Sequence, residues 1–391
     1  MKRWSAACAL ALCACAGDLA SPFSAVAITY DVPNQTFKLA QVRINSLTSL
    51  RHLRGSAGTV TAGGTVRVDA AAIRAAGATV DSLRKAFIEA QPSSVDLTWN
   101  LISVPGGEVV YPEDFASLEL LSTYYNLERA RTELSNRGLS ALPARPVVAH
   151  AAIADENGIS PLPDGELYYA PLATFFMPAA TPQGQMPSQF NVGAVAHAVA
   201  HEAIEELVWG GAVLPAPELS AANDAATLTA RHVARSMAEG IADYLGVTVS
   251  NDDRWFSHSL QQDADSRALD SLHCGTPDML DALSVDDARA PYNPYPLGSV
   301  IASALWDEGS SSTNQNTAQG VLAALTELGA RAANGGLDLA GVLDALVASS
   351  PDTQRADLCG RFFDRFRALS LAKDQLPSCA GLPVVDHQEC Q

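Results

Sequence analysis

Residues 191–211 read NVGAVAHAVAHEAIEELVWGG, and the spacing within this stretch decides the fold of the chain around it. His197 and His201 stand four residues apart, and residues four apart on an α-helix lie on one face, one turn from each other. The stretch predicts a largely buried helix over residues 191–209 that projects two imidazoles from one side. Apolar residues recur at helical spacing around the histidines at Val192, Val195, Ala196, Val199, Ala203, Ile204 and Leu207.

The spacing of the histidines is that of the motif H-E-x-x-H, in which a helix presents two zinc ligands. This chain reads HAVAH, so Ala198 occupies the position of the glutamate. In zinc peptidases that glutamate is the general base, which removes a proton from the attacking water. A methyl group cannot do this, so the stretch predicts a zinc site that has lost its base. Taken alone, the two histidines would also suit a buried core.

A second predicted helix, over residues 228–245, contains the sequence EGIADYL. Glu239 and Asp243 stand four residues apart in it and therefore lie on one face. A catalytic zinc site takes three protein ligands, and a carboxylate commonly orients a ligand histidine through its other ring nitrogen. The second helix offers side chains suited to both tasks.

Together these segments resemble the fungalysin and thermolysin-like zinc metallopeptidases, the gluzincins. NVGAVAHAVAH resembles the stretch around H-E-x-x-H, AEGIADYL resembles the E-G-x-x-D segment, YPLGSVIASALWD resembles a later helix, and DGELYYAPLATFFMP resembles the strand that lines the cleft. The resemblance covers residues 115–307, with an insertion expected near residues 212–227. It implies that His197, His201 and Glu239 bind zinc and that Asp243 orients a ligand histidine.

The resemblance implies an α+β fold of the two-lobed gluzincin (thermolysin-like) type, with a mainly helical C-terminal lobe. We expect this domain over residues 116–391, after a small β-rich region at residues 16–115 whose partial alternation and Gly-rich breaks indicate strands. A helical pattern occurs within residues 68–90. Further helices are expected over residues 115–139, 295–306, 318–332, 337–347 and 357–369, and strands over residues 146–153 and 166–177.

Two more residues are candidates for the chemistry. Tyr295 stands where fungalysins have a histidine and could donate a hydrogen bond to an oxyanion, or simply pack at a helix start. Glu202 lies one turn beyond Ala198, and helical side chains lean toward the N-terminus, so it could act as a displaced base. The turn rises about 5.4 Å, whereas a base must lie within about 3 Å of its proton. Residues 201–205 also fit a second motif frame, HExxE, which starts four residues later than HAVAH. In that frame Glu202 would be the base and Glu205 a ligand.

The first fifteen residues predict a targeting segment. Lys2 and Arg3 precede an apolar run over residues 4–14 that is too short to span a bilayer. The run ends in LCAC, which resembles a bacterial lipobox and predicts cleavage before Cys15 and lipid attachment to it. The alternative is an ordinary secretory signal without lipid. Either signal predicts an exported protein, and the lipobox predicts an anchor in the outer membrane or at the cell surface.

The chain has seven cysteines, of which Cys274, Cys359, Cys379 and Cys390 lie beyond the targeting segment. Four cysteines in an exported protein indicate two disulfides with three conceivable pairings. The neighbouring pair Cys379–Cys390 is the local expectation. The wide spacing of the four argues against a zinc–thiolate cluster.

Composition limits the function classes. The chain has 391 residues, of which 48% are hydrophobic and 17% charged, enough for a substantial core. Its formal charge of −18 argues against nucleic acid as a partner. We expect a zinc-metalloprotease-like lipoprotein, catalytically impaired at Ala198, that binds peptide or protein at the cell envelope. The alternatives are an active zinc metalloendopeptidase with Glu202 as base, and a structural envelope lipoprotein that keeps only the fold.

Overall fold

The computed structural model describes the chain in segments. The targeting segment with Cys15, the helical pattern within residues 68–90 and most of the expected insertion lie outside them. In the described segments the chain is mixed α+β and mainly helical after residue 190, in agreement with the predicted class. These segments are residues 22–34, 36–62, 65–67, 101–103, 109–155, 158–159, 168–169, 173–178, 186–210, 225–259, 264–285, 292–306, 311–333, 337–369, 371 and 373–390.

The described strands all lie before residue 190, ahead of the mainly helical part of the chain. They are β1 (Phe23–Asp31), β2 (Thr36–Ile44), β3 (Leu47–Ser49), β4 (Arg54–Gly55), β5 (Gly58–Ala62), β6 (Thr65–Arg67), β7 (Leu101–Ser103), β8 (Val109–Pro112), β9 (Arg145–Asp155), β10 (Gly158–Ile159), β11 (Tyr168–Tyr169) and β12 (Thr174–Pro178). One sheet has the order β2-β1-β8-β7, and the other has the order β11-β12-β9-β5-β4-β3, with β6 and β10 also paired to β9. The expected single strand over residues 166–177 is therefore two short antiparallel strands, β11 and β12.

The second sheet crosses the predicted boundary between residues 115 and 116. Strand β5 pairs in parallel with β9, with Val60 opposite Val147, and β9 pairs in parallel with β12. Strands from the predicted N-terminal region and strands from the predicted domain thus form one sheet.

The helices are α1 (Phe115–Asn136), α2 (Val192–Leu207), α3 (Ala225–Ser250), α4 (Ala264–Arg267), α5 (Pro277–Leu283), α6 (Tyr295–Leu305), α7 (Ser311–Ala333), α8 (Leu339–Ser349) and α9 (Asp352–Arg365). Each expected helix beyond residue 115 has a counterpart among them. None of the described helices is long and apolar enough to span a membrane.

Helix α1 joins the sheets to the helical part. The Asp114 side chain caps its start by accepting from the backbone N–H of Ser117 at 2.7 Å. The backbone N–H of Ile28 in β1 donates to Ser122 Oγ at 2.9 Å, and Asn126 Nδ2 donates to the Gln189 carbonyl at 2.9 Å on another side. The helix is therefore buried on more than the one apolar face that its sequence pattern predicts.

Helix α2 begins after the polar capping residue Asn191 and ends shortly before Gly210. The Asn191 side-chain oxygen accepts from the backbone N–H of Gly193 at 3.1 Å, and its amide group donates to the Trp255 carbonyl at 2.7 Å. After the helix ends at Leu207, Gly210 adopts a φ of +60°, which glycine tolerates without steric cost. These contacts fix the position of α2 in the core.

Close helix crossings set the position of α3. A Cβ atom on Gly246 would lie 3.0 Å from the Gly193 carbonyl of α2. A Cβ atom on Gly240 would lie 2.5 Å from the Gly298 carbonyl of α6. The backbones of α2 and α6 therefore approach α3 directly, and the α6 crossing is adjacent to Glu239.

Replacing Gly240 with alanine is expected to lower the free energy of unfolding by up to about 2 kcal/mol. Overpacking against a backbone carbonyl costs about 1–3 kcal/mol and outweighs the roughly 1 kcal/mol gain in helix propensity. Urea unfolding measures the change. Gly341→Ala is the matched control, because the three atoms nearest its added Cβ belong to the side chains of Asp338 and Arg331 and not to a backbone. Equal effects in the two variants would contradict a tight crossing.

The four cysteines form two disulfides, as predicted, but in a different pairing. Cys274 is bonded to Cys390 and Cys359 to Cys379, with Cα atoms 5.7 and 5.9 Å apart. The expected pair Cys379–Cys390 is wrong because the C-terminal tail folds back on α9, where the buried Asp364 carboxylate accepts from the backbone N–H of Cys390 at 3.2 Å. Two disulfides agree with an oxidising, exported location.

Candidate functional site

The two histidines of α2 and the glutamate of α3 meet in one cluster. His197 Nε2 and His201 Nε2 are 3.0 Å apart. Glu239 Oε2 lies 3.6 Å from His197 Nε2, and Glu239 Oε1 lies 3.6 Å from His201 Nε2. His197 and Glu239 are buried and His201 is partly exposed. The structure therefore brings together the three residues that the sequence suggested as zinc ligands.

The spacing of these atoms suits a metal ion. The candidate ligand atoms all lie within 4.8 Å of one another. Zinc bonds of about 2.0–2.2 Å at tetrahedral angles place ligand atoms about 3.3 Å apart, close to the separations seen here. Two imidazole nitrogens and one carboxylate oxygen form a donor set that suits zinc and other divalent transition metals. The group could hold such an ion.

Asp243 contacts the Nδ1 atom of His197, the ring nitrogen that is not in the cluster. Its Oδ1 atom lies 2.9 Å from His197 Nδ1, and its side chain is 1% exposed. This contact favours the proton on Nδ1 and leaves the Nε2 lone pair facing the cluster. Burial lowers the pKa of His197, although the neighbouring Asp243 opposes that shift. A neutral imidazole is the form that binds metal.

Arg267 is the residue of the site that sequence reasoning missed. It ends the short helix α4, and its Nη2 donates to Glu239 Oε2 at 3.1 Å and to Asp243 Oδ1 at 2.6 Å. Its Nε donates to Asp243 Oδ2 at 3.0 Å. The guanidinium carbon lies 4.1 Å from the ring centre of Phe256 and 3.9 Å from that of Tyr295. The available signal was indirect, since two buried carboxylates beside neutral imidazoles require a cation.

The charges in the cluster stabilise one another. Burial alone would raise the pKa of Glu239, but His201 and Arg267 hold it well below its usual range. Burial alone would lower the pKa of Arg267, but Asp243 and Glu239 raise it above its usual value. Glu239 is therefore ionised, as a metal ligand must be, and Arg267 stays charged.

Tyr295 lies beside this cluster at the start of α6 and is 7% exposed. Its ring covers the guanidinium of Arg267. This contact gives the tyrosine a packing role of the kind considered from the sequence. Its use as an oxyanion donor stays a prediction.

Glu202 points into a separate ion-pair network. Its side chain has no exposed surface, and its Oε2 accepts from Arg131 Nη2 at 2.5 Å while its Oε1 accepts from Arg145 Nε at 3.1 Å. Burial raises the pKa of Glu202, and the two arginines oppose that shift. Both oxygens are thus engaged, and Ala198 is itself fully buried.

The HExxE frame has no matching cluster in the described part of the chain. The group of potential metal ligands found there contains His197, His201 and Glu239, and Glu205 is not a member of it. Glu205 is buried on α2. Burial is the main cause that raises the pKa of Tyr168, and the negative charges of Glu202 and Glu205 add to that shift. This arrangement agrees with the earlier frame, in which the two histidines come from HAVAH.

The likeness of this chain to the gluzincins rests on the resemblance of its sequence segments alone. A scan against protein-family models finds no match, and a search of curated proteins finds none.

Proposed function

We propose that this chain is a metallopeptidase-like protein that binds a zinc ion, is impaired in hydrolysis, and binds peptide or protein segments at the cell envelope. The observation that carries the proposal is the meeting of His197, His201 and Glu239 around one point, with Asp243 behind His197. Beside them, Ala198 offers only a methyl group where a base would be needed.

Each residue has a defined task in this proposal. His197, His201 and Glu239 would hold the ion, and Asp243 keeps His197 in the tautomer whose Nε2 faces the cluster. When bound, zinc supplies Lewis-acid polarisation of a carbonyl oxygen. Arg267 keeps the Glu239 carboxylate in place. Without a base at position 198, proton transfer is lost, and such transfer is worth about 10²–10⁴-fold in rate.

The active-peptidase alternative requires Glu202 as a base. Both oxygens of Glu202 already accept from arginines, so the side chain would have to leave two ion pairs before it could take a proton. These two ion pairs favour a protein impaired in hydrolysis over an active peptidase. The structural-lipoprotein alternative predicts no metal binding, and it is separated from our proposal by the measurement below.

The first test is the zinc content of the purified chain by elemental analysis after dialysis. We expect about one zinc ion per chain, removable by chelator, because the three side chains that could bind it meet in one cluster. His201→Ala should lose this zinc. His52→Ala is the control, since His52 is an exposed histidine outside the cluster. A chain that takes up no zinc from excess metal would contradict the zinc site and leave a fold kept for binding or scaffolding.

The anchoring part of the proposal has its own evidence and test. Two disulfides favour an exported location, and the LCAC sequence ending at Cys15 favours lipid attachment. Cys15→Ser should release the protein from the membrane fraction if Cys15 carries the lipid. Continued membrane association of that variant would contradict the anchor and leave the zinc site untouched.

A further inference from the structure

The candidate metal site contains an unusual balance of charge. Glu239 and Asp243 are 5% and 1% exposed, and they lie four residues apart on one face of α3, where like charges repel. Buried carboxylates without partners are costly, and the imidazoles beside them are neutral when they bind metal. Among the basic side chains that the structure describes, the one that pairs with both carboxylates is Arg267. When both imidazoles are neutral, as in the metal-binding state, the two carboxylates and the one guanidinium leave a single net negative charge.

Arg267 also competes with a metal ion for Glu239. Its Nη2 lies 3.1 Å from Glu239 Oε2, and that same oxygen lies 3.6 Å from His197 Nε2. A metal bound by Glu239 would share the carboxylate with a permanently charged guanidinium. Repulsion between the two cations must weaken metal binding, by an amount that grows as the local dielectric falls.

The guanidinium is held so firmly that it cannot easily move away. Arg267 is 2% exposed and is enclosed between the rings of Phe256 and Tyr295. The segment that follows it is fixed by the backbone N–H of Leu269, which donates to the Asp253 carbonyl at 2.9 Å. Arg267 therefore belongs to the site whether or not a metal is present.

We propose that Arg267 is a resident counter-ion that lets the site fold without metal and keeps its affinity for zinc moderate, so that the ion exchanges with its surroundings. This inference rests on the proposed zinc site and assigns its regulation: occupancy would follow the free zinc concentration. Arg267 acts here as a positioning residue, because it reaches the metal through Glu239. The inference predicts opposite effects of its removal on metal-free stability and on zinc affinity.

The test compares wild type with Arg267→Met, which keeps the unbranched apolar stem and removes the charge. Zinc Kd is measured by competition with a chromophoric chelator, and Tm is measured with and without zinc. We expect the metal-free Tm of R267M to fall by about 10 °C, as for a broken buried ion pair. We expect its zinc Kd to tighten by about tenfold or more, as for removal of a nearby unit charge. Zinc should restore most of its Tm.

Two further variants separate charge from packing. Arg267→Lys keeps the charge without the planar fork, so its zinc Kd should stay near that of wild type. Arg361→Met removes another buried arginine, one that is 5% exposed and donates to the Trp306 carbonyl at 3.0 Å. It should lower Tm without changing zinc Kd, so zinc should raise its Tm only as much as it raises that of wild type. A merely structural role for Arg267 would make R267M behave like R361M.

Each outcome decides the inference. Tighter zinc binding by R267M, or folding of R267M only in the presence of zinc, supports it. An unchanged or weaker Kd in folded R267M overturns it, as does an R267M chain that stays unfolded with and without zinc. If wild type binds no zinc but R267M does, the zinc content expected of the natural site was wrong while the counter-ion role stands. If neither chain binds zinc, both proposals fail.

Discussion

Replacing Glu202 with glutamine is expected to lower the free energy of unfolding by about 3 kcal/mol while leaving zinc binding unchanged. The carboxylate is fully buried between Arg131 and Arg145, whose side chains are only 11% and 17% exposed. Removing one partner of a buried ion pair costs about 3–5 kcal/mol, because the remaining charge is left without compensation. Urea unfolding and elemental analysis measure the two quantities on one preparation.

Glu206→Gln is the matched control for this prediction. Glu206 also pairs with Arg145, but its side chain is 32% exposed, so its loss should cost no more than about 1 kcal/mol. A Glu202→Gln chain of normal stability that loses a peptidase activity present in wild type would contradict the structural role. That result would favour the active enzyme with a displaced base.

The local parts of the site could be predicted from the sequence. The four-residue spacing of His197 and His201, and that of Glu239 and Asp243, fixes which side chains share a face once each segment is helical. Apolar periodicity supplied the helices themselves. The meeting of α2 with α3 was expected only from the resemblance to gluzincins, because no property of either helix alone specifies its neighbour.

Residues that converge from distant segments could not be predicted. Arg267 comes from α4, a helix of four residues without any apolar period to mark it. Arg131 and Arg145 reach Glu202 from α1 and β9, so the sequence could not reveal that this glutamate was already paired. For the same reason Glu202 could look like a free base in the sequence.

The pairing of strands and of cysteines from distant parts of the chain could not be predicted from the sequence either. The parallel contact of β5 with β9 depends on the path between them, and a strand pattern does not name its partner. Sequence proximity suggested Cys379–Cys390, but hydrogen bonds from the tail backbone to Asp364 place Cys390 beside Cys274 instead. Disulfide connectivity follows the folded path of the chain and cannot be deduced from cysteine positions alone.

Replacing Ala198 with glutamate is expected to raise hydrolysis of labelled casein by the zinc-loaded chain by about 10²–10⁴-fold, the usual worth of general-base catalysis. Ala198 directly follows His197 on α2, and helical side chains lean toward the N-terminus. The proposal requires only that a carboxylate at this position reach a water beside the cluster. Initial rates at equal zinc occupancy measure the effect.

Ala198→Gln is the control that isolates the base. Position 198 is fully buried, so any longer side chain there will strain the packing, and a charged one also carries a desolvation cost. Glutamine has nearly the shape of glutamate but cannot accept the proton. The ratio of the two rates therefore reports proton transfer, and Tm measurements on both variants report the cost of the larger side chain.

The comparison decides whether the missing base alone accounts for the proposed loss of hydrolysis. If A198E hydrolyses casein no faster than A198Q while both retain zinc and fold, then loss of the base is not what prevents catalysis. Arg267, which draws on the same Glu239 carboxylate, would then be the next group to replace. If A198E is faster by the expected factor, the three proposed ligands and the orienting aspartate are all competent. Impairment would then follow from the methyl group at position 198 alone, as its place between the two histidines implies.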